Sequence, residues 1–246
     1  MKNTHPSSLI SHPSPLALYI HWPFCLAKCP YCDFNSHVNA RIDEPRMVDA
    51  LISEMHYWYG RVAIRPLTSI FFGGGTPSLL HPNNVARLLN EANKLFGFAP
   101  NIEITLEANP TSSEAEKFKS FAAAGINRLS IGVQSLDDTS LKSLGREHSV
   151  AEAIKAIGIA QSIFPRHSFD LIYARKGQTL LQWEVELNAA LKLAAAHLSL
   201  YQLTIEPGTV FAQKTNAGHV FTASDEVADD MYTLTQDICA AAGLPA

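Results

Sequence analysis

Long apolar runs are missing from this chain. With them goes any stretch of the roughly 20 residues that a helix needs to cross a bilayer. Cysteine is scarce, four residues in 246, too few for the disulfide framework of a small secreted protein. An excess of one charge is missing too. The chain carries 19 Lys and Arg against 23 Asp and Glu, a formal net charge of −4, which argues against a general nucleic-acid-binding face. Residues 1–15 are rich in Ser, His and Pro but lack the apolar core of a secretory signal, and read as a disordered leader. The rest, residues 16–246, has no evident linker, internal repeat or second domain. With an apolar share of 47% for the whole chain, it is long enough to form one sizeable core.

Against that scarcity, three of the four cysteines fall within eight residues: Cys25, Cys29 and Cys32, spaced C-x3-C-x2-C. Cys239 lies far away in a helical-looking run. Three thiolates on one short loop can hold a metal centre, and they point to a reducing compartment, the cytoplasm. A structural zinc ion wants four ligands, usually two separated pairs. His21 and His37 flank the loop and could complete such a site, as in a zinc-stabilised α/β interaction module. A cubane iron–sulfur cluster normally takes four cysteines, so three leave one iron open to a substrate or cofactor. Three merely structural thiols fit poorly in a Pro- and Lys-containing turn.

Short apolar runs alternate with helix-type spacing along the chain. Strands are expected at residues 16–22, 69–73, 102–108, 128–133, 169–173 and 198–203. Helices are expected at 45–59, 82–96, 113–124, 150–163, 180–195 and 224–242. This alternation argues a parallel sheet with covering helices. The strands read as nearly continuous apolar runs, which predicts burial on both faces. Six βα units fit the length, so the fold class is α/β, a partial (β/α)6 TIM-like barrel.

In such folds chemistry gathers where strands end, and the unusual polar groups of this chain do fall there. Gly73-Gly74-Gly75-Thr76-Pro77 is a glycine run between a strand and a helix; its bare backbone can approach a ligand closely. It is neither a Walker loop nor a dinucleotide fingerprint. Glu107 sits in an apolar strand and needs a partner or a ligand; a rim salt bridge would also serve. Gln134 offers donor and acceptor, and Arg146 a planar fork of donors, although a lone Arg is more often a solvated charge. Asp170 is an acid inside an apolar strand.

These motifs together resemble the radical S-adenosylmethionine (SAM) superfamily. The string Leu18-Tyr19-Ile20-His21-Trp22-Pro23-Phe24-Cys25 narrows the likeness to the branch containing oxygen-independent coproporphyrinogen III oxidase and the haem chaperone HemW. The resemblance implies a [4Fe–4S] cluster on Cys25, Cys29 and Cys32, with SAM on the open iron. It implies SAM contacts from Gly74, Gly75, Thr76, Glu107, Gln134, Arg146, Asp170 and Thr204. Tyr19 and Tyr31 also match positions used near SAM, or else pack against the barrel.

It further implies an electron donor, binding of haem or a porphyrin, and a haem acceptor protein. In the oxidase branch a further cysteine stands where this chain has Phe34, which favours the chaperone-like branch over oxidative decarboxylation. Lys176 replaces the branch's usual proline, which predicts a more mobile loop there. Relatives continue past Ala246 with a His-Asn-x-x-Tyr-Trp motif and a C-terminal domain, so the chain reads as a shortened form. His56, His81, His148 and His219 receive no role.

Overall fold

The computed structural model describes residues 15–39 and 41–245; the expected leader falls almost wholly outside them. Six parallel strands form one sheet in the order β1 (Leu16–Trp22), β4 (Leu67–Gly74), β5 (Phe98–Ala108), β6 (Arg128–Gln134), β7 (Arg166–Tyr173) and β8 (Ser199–Gln202). Spatial order follows chain order, and β1 does not pair with β8. The sheet is therefore the partial (β/α)6 barrel expected. Between β1 and β4 two short strands, β2 (Phe24–Cys25) and β3 (His37–Val38), pair in parallel as a separate ribbon.

The helices are α1 (Glu44–Tyr59), α2 (Pro82–Phe96), α3 (Ser112–Ala115), α4 (Phe118–Ala124), α5 (Asp138–Ser143), α6 (Val150–Ile163), α7 (Leu180–Leu193), α8 (Val210–Asn216) and α9 (Asp225–Ala241). Their starts are written locally. Asp43 caps α1, with Pro45 in the first turn, and Gly97 ends α2 with φ +72°. Capping boxes open α6 (Ser149 with Glu152) and α7 (Thr179 with Gln182). The single helix expected at 113–124 is two, α3 and α4, and the short α5 and α8 were not foreseen.

The two faces of the sheet differ. On the outer face Ile104, Leu106, Leu129, Ile131, Val133, Phe169 and Leu171 are buried under the helices with Trp183 and Phe118. Each large side chain there contributes about 1.5–3 kcal/mol by burial. The alternate positions are polar: Glu103, Thr105 and Glu107 on β5, Arg128 and Ser130 on β6, Ser168 and Asp170 on β7. Burial on both faces, as expected, holds for Thr105 and Ser168, but this inner face is largely polar. A half-barrel closes around its concave side, so that side can hold polar groups that satisfy one another or a ligand.

Among the described residues no helix is long and apolar enough to cross a membrane.

Candidate functional site

The cysteine loop begins where β1 ends. Trp22 is fully buried, and the ribbon of β2 and β3 closes residues 24–38 into a loop. Several bonds tie it. His37 N donates to Pro23 O at 2.7 Å and Cys32 N to Cys29 O at 3.1 Å. Lys28 Nζ donates to Phe34 O at 3.1 Å and Ser36 O at 3.3 Å. His21 Nε2 donates to Asn35 O at 2.9 Å, leaving Nδ1 to accept from the Tyr19 hydroxyl at 3.2 Å. Both ring nitrogens of His21 are thus engaged, and His37 stands exposed on β3. No three His, Cys, Asp or Glu side chains among the described residues converge on a point that would hold one metal ion. Cys25, Cys29 and Cys32 instead line one wall of a cavity of about 360 Å³.

The glycine run seats this loop. Gly75 N donates to Trp22 O at 2.6 Å and Thr76 N to Phe24 O at 2.9 Å. The Thr76 hydroxyl lies 3.5 Å from Cys25 Sγ. A Cβ on Gly75 would stand 2.6 Å from Phe24 O and 3.0 Å from Cys25 Sγ, so only glycine allows this approach. Gly74, at φ +115°, turns its N–H to Glu107 Oε2 at 3.2 Å.

Two acids face the thiols across the cavity. Burial, then the charge of Asp170, pushes Glu107 up to about 7, against the Gly74 N–H that lowers it. Burial pushes Asp170 up to about 6, opposed by bonds from Ser199 and Ser130 and by the charges of Arg146 and Arg128. Asp170 Oδ1 is buried with no hydrogen-bond partner. Arg146 donates through Nη1 to Cys29 Sγ at 3.2 Å and through Nη2 to Asn109 Oδ1 at 2.6 Å and Gly132 O at 2.8 Å. It thus clamps the cysteine loop to the ends of β5 and β6, and its Nε is buried and unpartnered.

Gln134 stands at φ +71°, where the β6–β7 register shifts between Ile131 and Gln134. Such a bulge re-aims a side chain at a cost in backbone strain. Gly132 leaves room for it: a Cβ there would lie 3.0 Å from Gln134 Nε2.

This arrangement has relatives. The family model "Radical SAM superfamily" matches residues 19–189. The chain belongs to the radical SAM superfamily. It is 45% identical over 207 residues to the "Heme chaperone HemW" of Haemophilus influenzae, covering 81% of this chain and 54% of that protein. It is 41% identical over 217 residues to the bovine "Radical S-adenosyl methionine domain-containing protein 1, mitochondrial", covering 88% of this chain and 49% of the relative. Among solved structures, coproporphyrinogen III oxidase (HemN) from Escherichia coli, a radical SAM enzyme, superposes with a TM-score of 0.81 at 27% identity, over 93% of this chain and 53% of that one. The chain spans about half the length of the curated relatives it matches.

Radical SAM membership implies SAM and an iron–sulfur cluster, and the residues fit both. Three thiols ring one wall instead of meeting at one ion. The same cavity holds two acids, Glu107 and Asp170, that form no ion pair among the described residues, and the Oδ1 of Asp170 is orphaned. Of the residues the family likeness picked out, Cys25, Cys29, Cys32, Tyr31, Gly75 and Thr76 line this cavity, as do Glu107, Gln134, Arg146, Asp170 and Thr204. Gly74 acts one step back, through Glu107. Tyr19 does not line the cavity: it is 56% exposed, its ring stacks beside Phe71 and its hydroxyl serves His21. Burial raises the Tyr31 hydroxyl well above its ordinary range.

Asn109, Ser130, Gly132, Tyr201 and Glu206 also line the cavity without having been singled out as site residues. Ser130 was readable as the polar position two before Gly132 on one strand face. Glu206 was not, since its tie to the Thr204 hydroxyl at 2.8 Å depends on the turn after β8.

The Lys176 loop is a correction. Lys176 N donates to Phe221 O at 2.7 Å and Ala223 N to Ala174 O at 2.8 Å, while Arg175 pairs with Glu186 at 2.5 Å in the interior. A proline at 176 could not make the first of these bonds, so lysine anchors this loop where added mobility was expected.

Proposed function

We propose that Cys25, Cys29 and Cys32 hold a [4Fe–4S] cluster and that SAM occupies the cavity between them and the strand ends. When bound, this pair supplies one-electron cleavage of SAM to methionine and a 5′-deoxyadenosyl radical. The chain's own residues orient and shield. Gly74, Gly75 and Thr76 present backbone to the methionine end, and Glu107 and Asp170 offer charge and acceptor oxygens to its cationic and hydroxyl groups. Gln134, Arg146 and Thr204 complete the wall, and Tyr31 closes it beside the thiols. Tyr19 acts through His21. The observation carrying this reading is that three thiols and two under-satisfied acids share one cavity at the strand ends.

We further propose that residues 16–246 form the radical SAM core of a haem-handling protein of the chaperone type, working in a reducing compartment such as the cytoplasm. It would take electrons from a donor protein and pass haem to an acceptor. The 45% identity to a haem chaperone supports this, as does Phe34, 57% exposed on the cavity wall where the oxidase branch carries a cysteine. The runner-up is oxidative decarboxylation of coproporphyrinogen III, favoured by the HemN superposition.

Anaerobic reconstitution with iron and sulfide tests the first proposal. Broad absorption near 400 nm is expected, along with its loss when all three cysteines become alanine; a preparation indifferent to that change defeats it. Anaerobic incubation of the reconstituted, chemically reduced protein with coproporphyrinogen and SAM, and separately with haem, tests the second. Haem uptake without vinyl product supports the chaperone, and turnover to the vinyl product supports the oxidase.

A further inference from the structure

A second, larger cavity opens on the same side of the fold. Its volume is about 1040 Å³, at the top of the range of about 300–1,000 Å³ typical of small-molecule sites. It lies between α5, the first half of α7, the 175–178 turn and the segment after α8. On one wall the rings of Phe211 and Phe221 stack 3.9 Å apart and 9° from parallel. The His219 ring follows, 6.3 Å from Phe221. On another wall α7 presents Leu181 and Val185, which are 68% and 62% exposed. Large apolar side chains grouped in this way on an open groove mark a binding face.

The acids that line the groove are engaged, Glu186 by Arg175, Ser135 and Gln178, and Asp137 by the Ser140 N–H. Lys176 is exposed at the groove. Arg175, only 6% exposed, lines it as well, but its Nη1 donates to Ile172 O at 2.7 Å and its Nη2 pairs with Glu186, which leaves Lys176 as the cation the groove offers.

The chain's other described histidines are committed or lie elsewhere. His21 ties the cysteine loop, His56 pairs with Glu91 at 2.8 Å, His81 caps α2, and His148 is bonded to Val133 O. His167 is buried, His197 faces Arg128, and His37 lines neither cavity. The first cavity is the one assigned above to the cluster and SAM.

We propose that the second cavity is the haem seat of this chain, with His219 as the iron ligand. The macrocycle lies against Phe221, Leu181 and Val185, and its carboxylates turn to Lys176. A flat apolar ring with a nitrogen-seeking iron and two anionic arms needs those three kinds of group, and a protein histidine is a common ligand to haem iron. The assignment rests on the haem-handling reading above.

The test titrates the full chain with ferric haem, read as a difference spectrum in the Soret region against haem-free protein, and in parallel with iron-free protoporphyrin. Saturable haem uptake is expected. His219→Ala should weaken it by about tenfold or more and shift the band, while leaving uptake of the iron-free porphyrin little changed. Val185→Glu should weaken both, and His37→Ala neither. If the wild-type chain takes up haem and both groove variants bind it with unchanged affinity and spectrum, the seat is elsewhere and only this inference falls. If the wild-type chain takes up none, the haem-handling reading fails with it.

Discussion

Glu103 and Glu107 stand four residues apart on the same face of β5, yet they meet opposite fates. At the N-terminal end of the sheet Glu103 accepts from Arg166 at 3.0 Å and lies 3.8 Å from Arg128. Arg128 also donates to Ser168 at 3.0 Å, so that end is a closed network. At the C-terminal end Glu107 has one backbone N–H and an acid, Asp170, for company. Buried polar groups in folded proteins are normally satisfied, so a carboxylate left short marks a place kept for something else. One end of the concave face is finished by the chain itself, and the other is finished by its ligand.

The largest expected effect breaks that contrast at the ligand end. Glu107→Gln or Asp170→Asn should cost about 2–5 kcal/mol of SAM affinity, the range for removing one member of a buried charged pair. Neither should lower the melting temperature of ligand-free protein at pH 8, because burial outweighs the bonds and charges that favour each carboxylate and holds both above their ordinary range. Equilibrium dialysis with SAM and thermal unfolding check the two halves; an unfolding penalty without loss of SAM affinity would make Glu107 structural like Glu103.

The pH dependence follows from the same two acids. Glu107 and Asp170 titrate at about 7 and about 6 in the fold, above their ordinary 4.5 and 3.8. A raised carboxylate holds its proton more tightly when folded, so the folded chain binds more protons than the unfolded one between those values. Ligand-free stability therefore falls as pH rises from about 4 to about 7, by up to about 3 kcal/mol for Glu107 alone. Denaturant midpoints across that window should show the slope, and Glu107→Gln should flatten it. SAM affinity should run the other way, rising with pH as the acids ionise.

Gly75→Ala probes how tightly the rim loops interlock. Its Cβ must displace Phe24 O and Cys25 Sγ, at a cost of about 1–3 kcal/mol for overpacking and with poorer cluster reconstitution measured as iron per chain. Lys176→Pro should cost about 1 kcal/mol, one backbone hydrogen bond, in thermal unfolding. Glu103→Gln closes the series at under about 1 kcal/mol, since its pairs are partly solvent-exposed; SAM affinity should not change. A Glu103 variant that lost SAM while keeping its fold would erase the distinction between the two ends.

Much of this was legible in the primary structure. The strands were found within a few residues, because each is an apolar run bounded by a turn. The cysteine spacing, the glycine run, Glu107 and Gln134 were found because each sits where a strand ends, and Asp170 because it is an acid inside an otherwise apolar run. The polar concave face was passed over: Thr105, Ser130 and Ser168 alternate with large apolar residues and blend into the runs. The bonds of Arg146 to Asn109, Gly132 and Cys29, the last 117 residues away, could not be read from the sequence. The β2–β3 ribbon, two residues a strand, carries no periodicity to find.

By itself, then, the order of residues determined which chemistry is present: three thiols, a glycine turn, two acids and a capped set of helices, all local in origin. Tertiary structure decided which acid is structural and which is spare, because that depends on whether an arginine from another strand arrives beside it. It likewise decided that His219 faces a groove while His21 is spent, since neighbours brought together from distant parts of the chain set the surroundings of each imidazole.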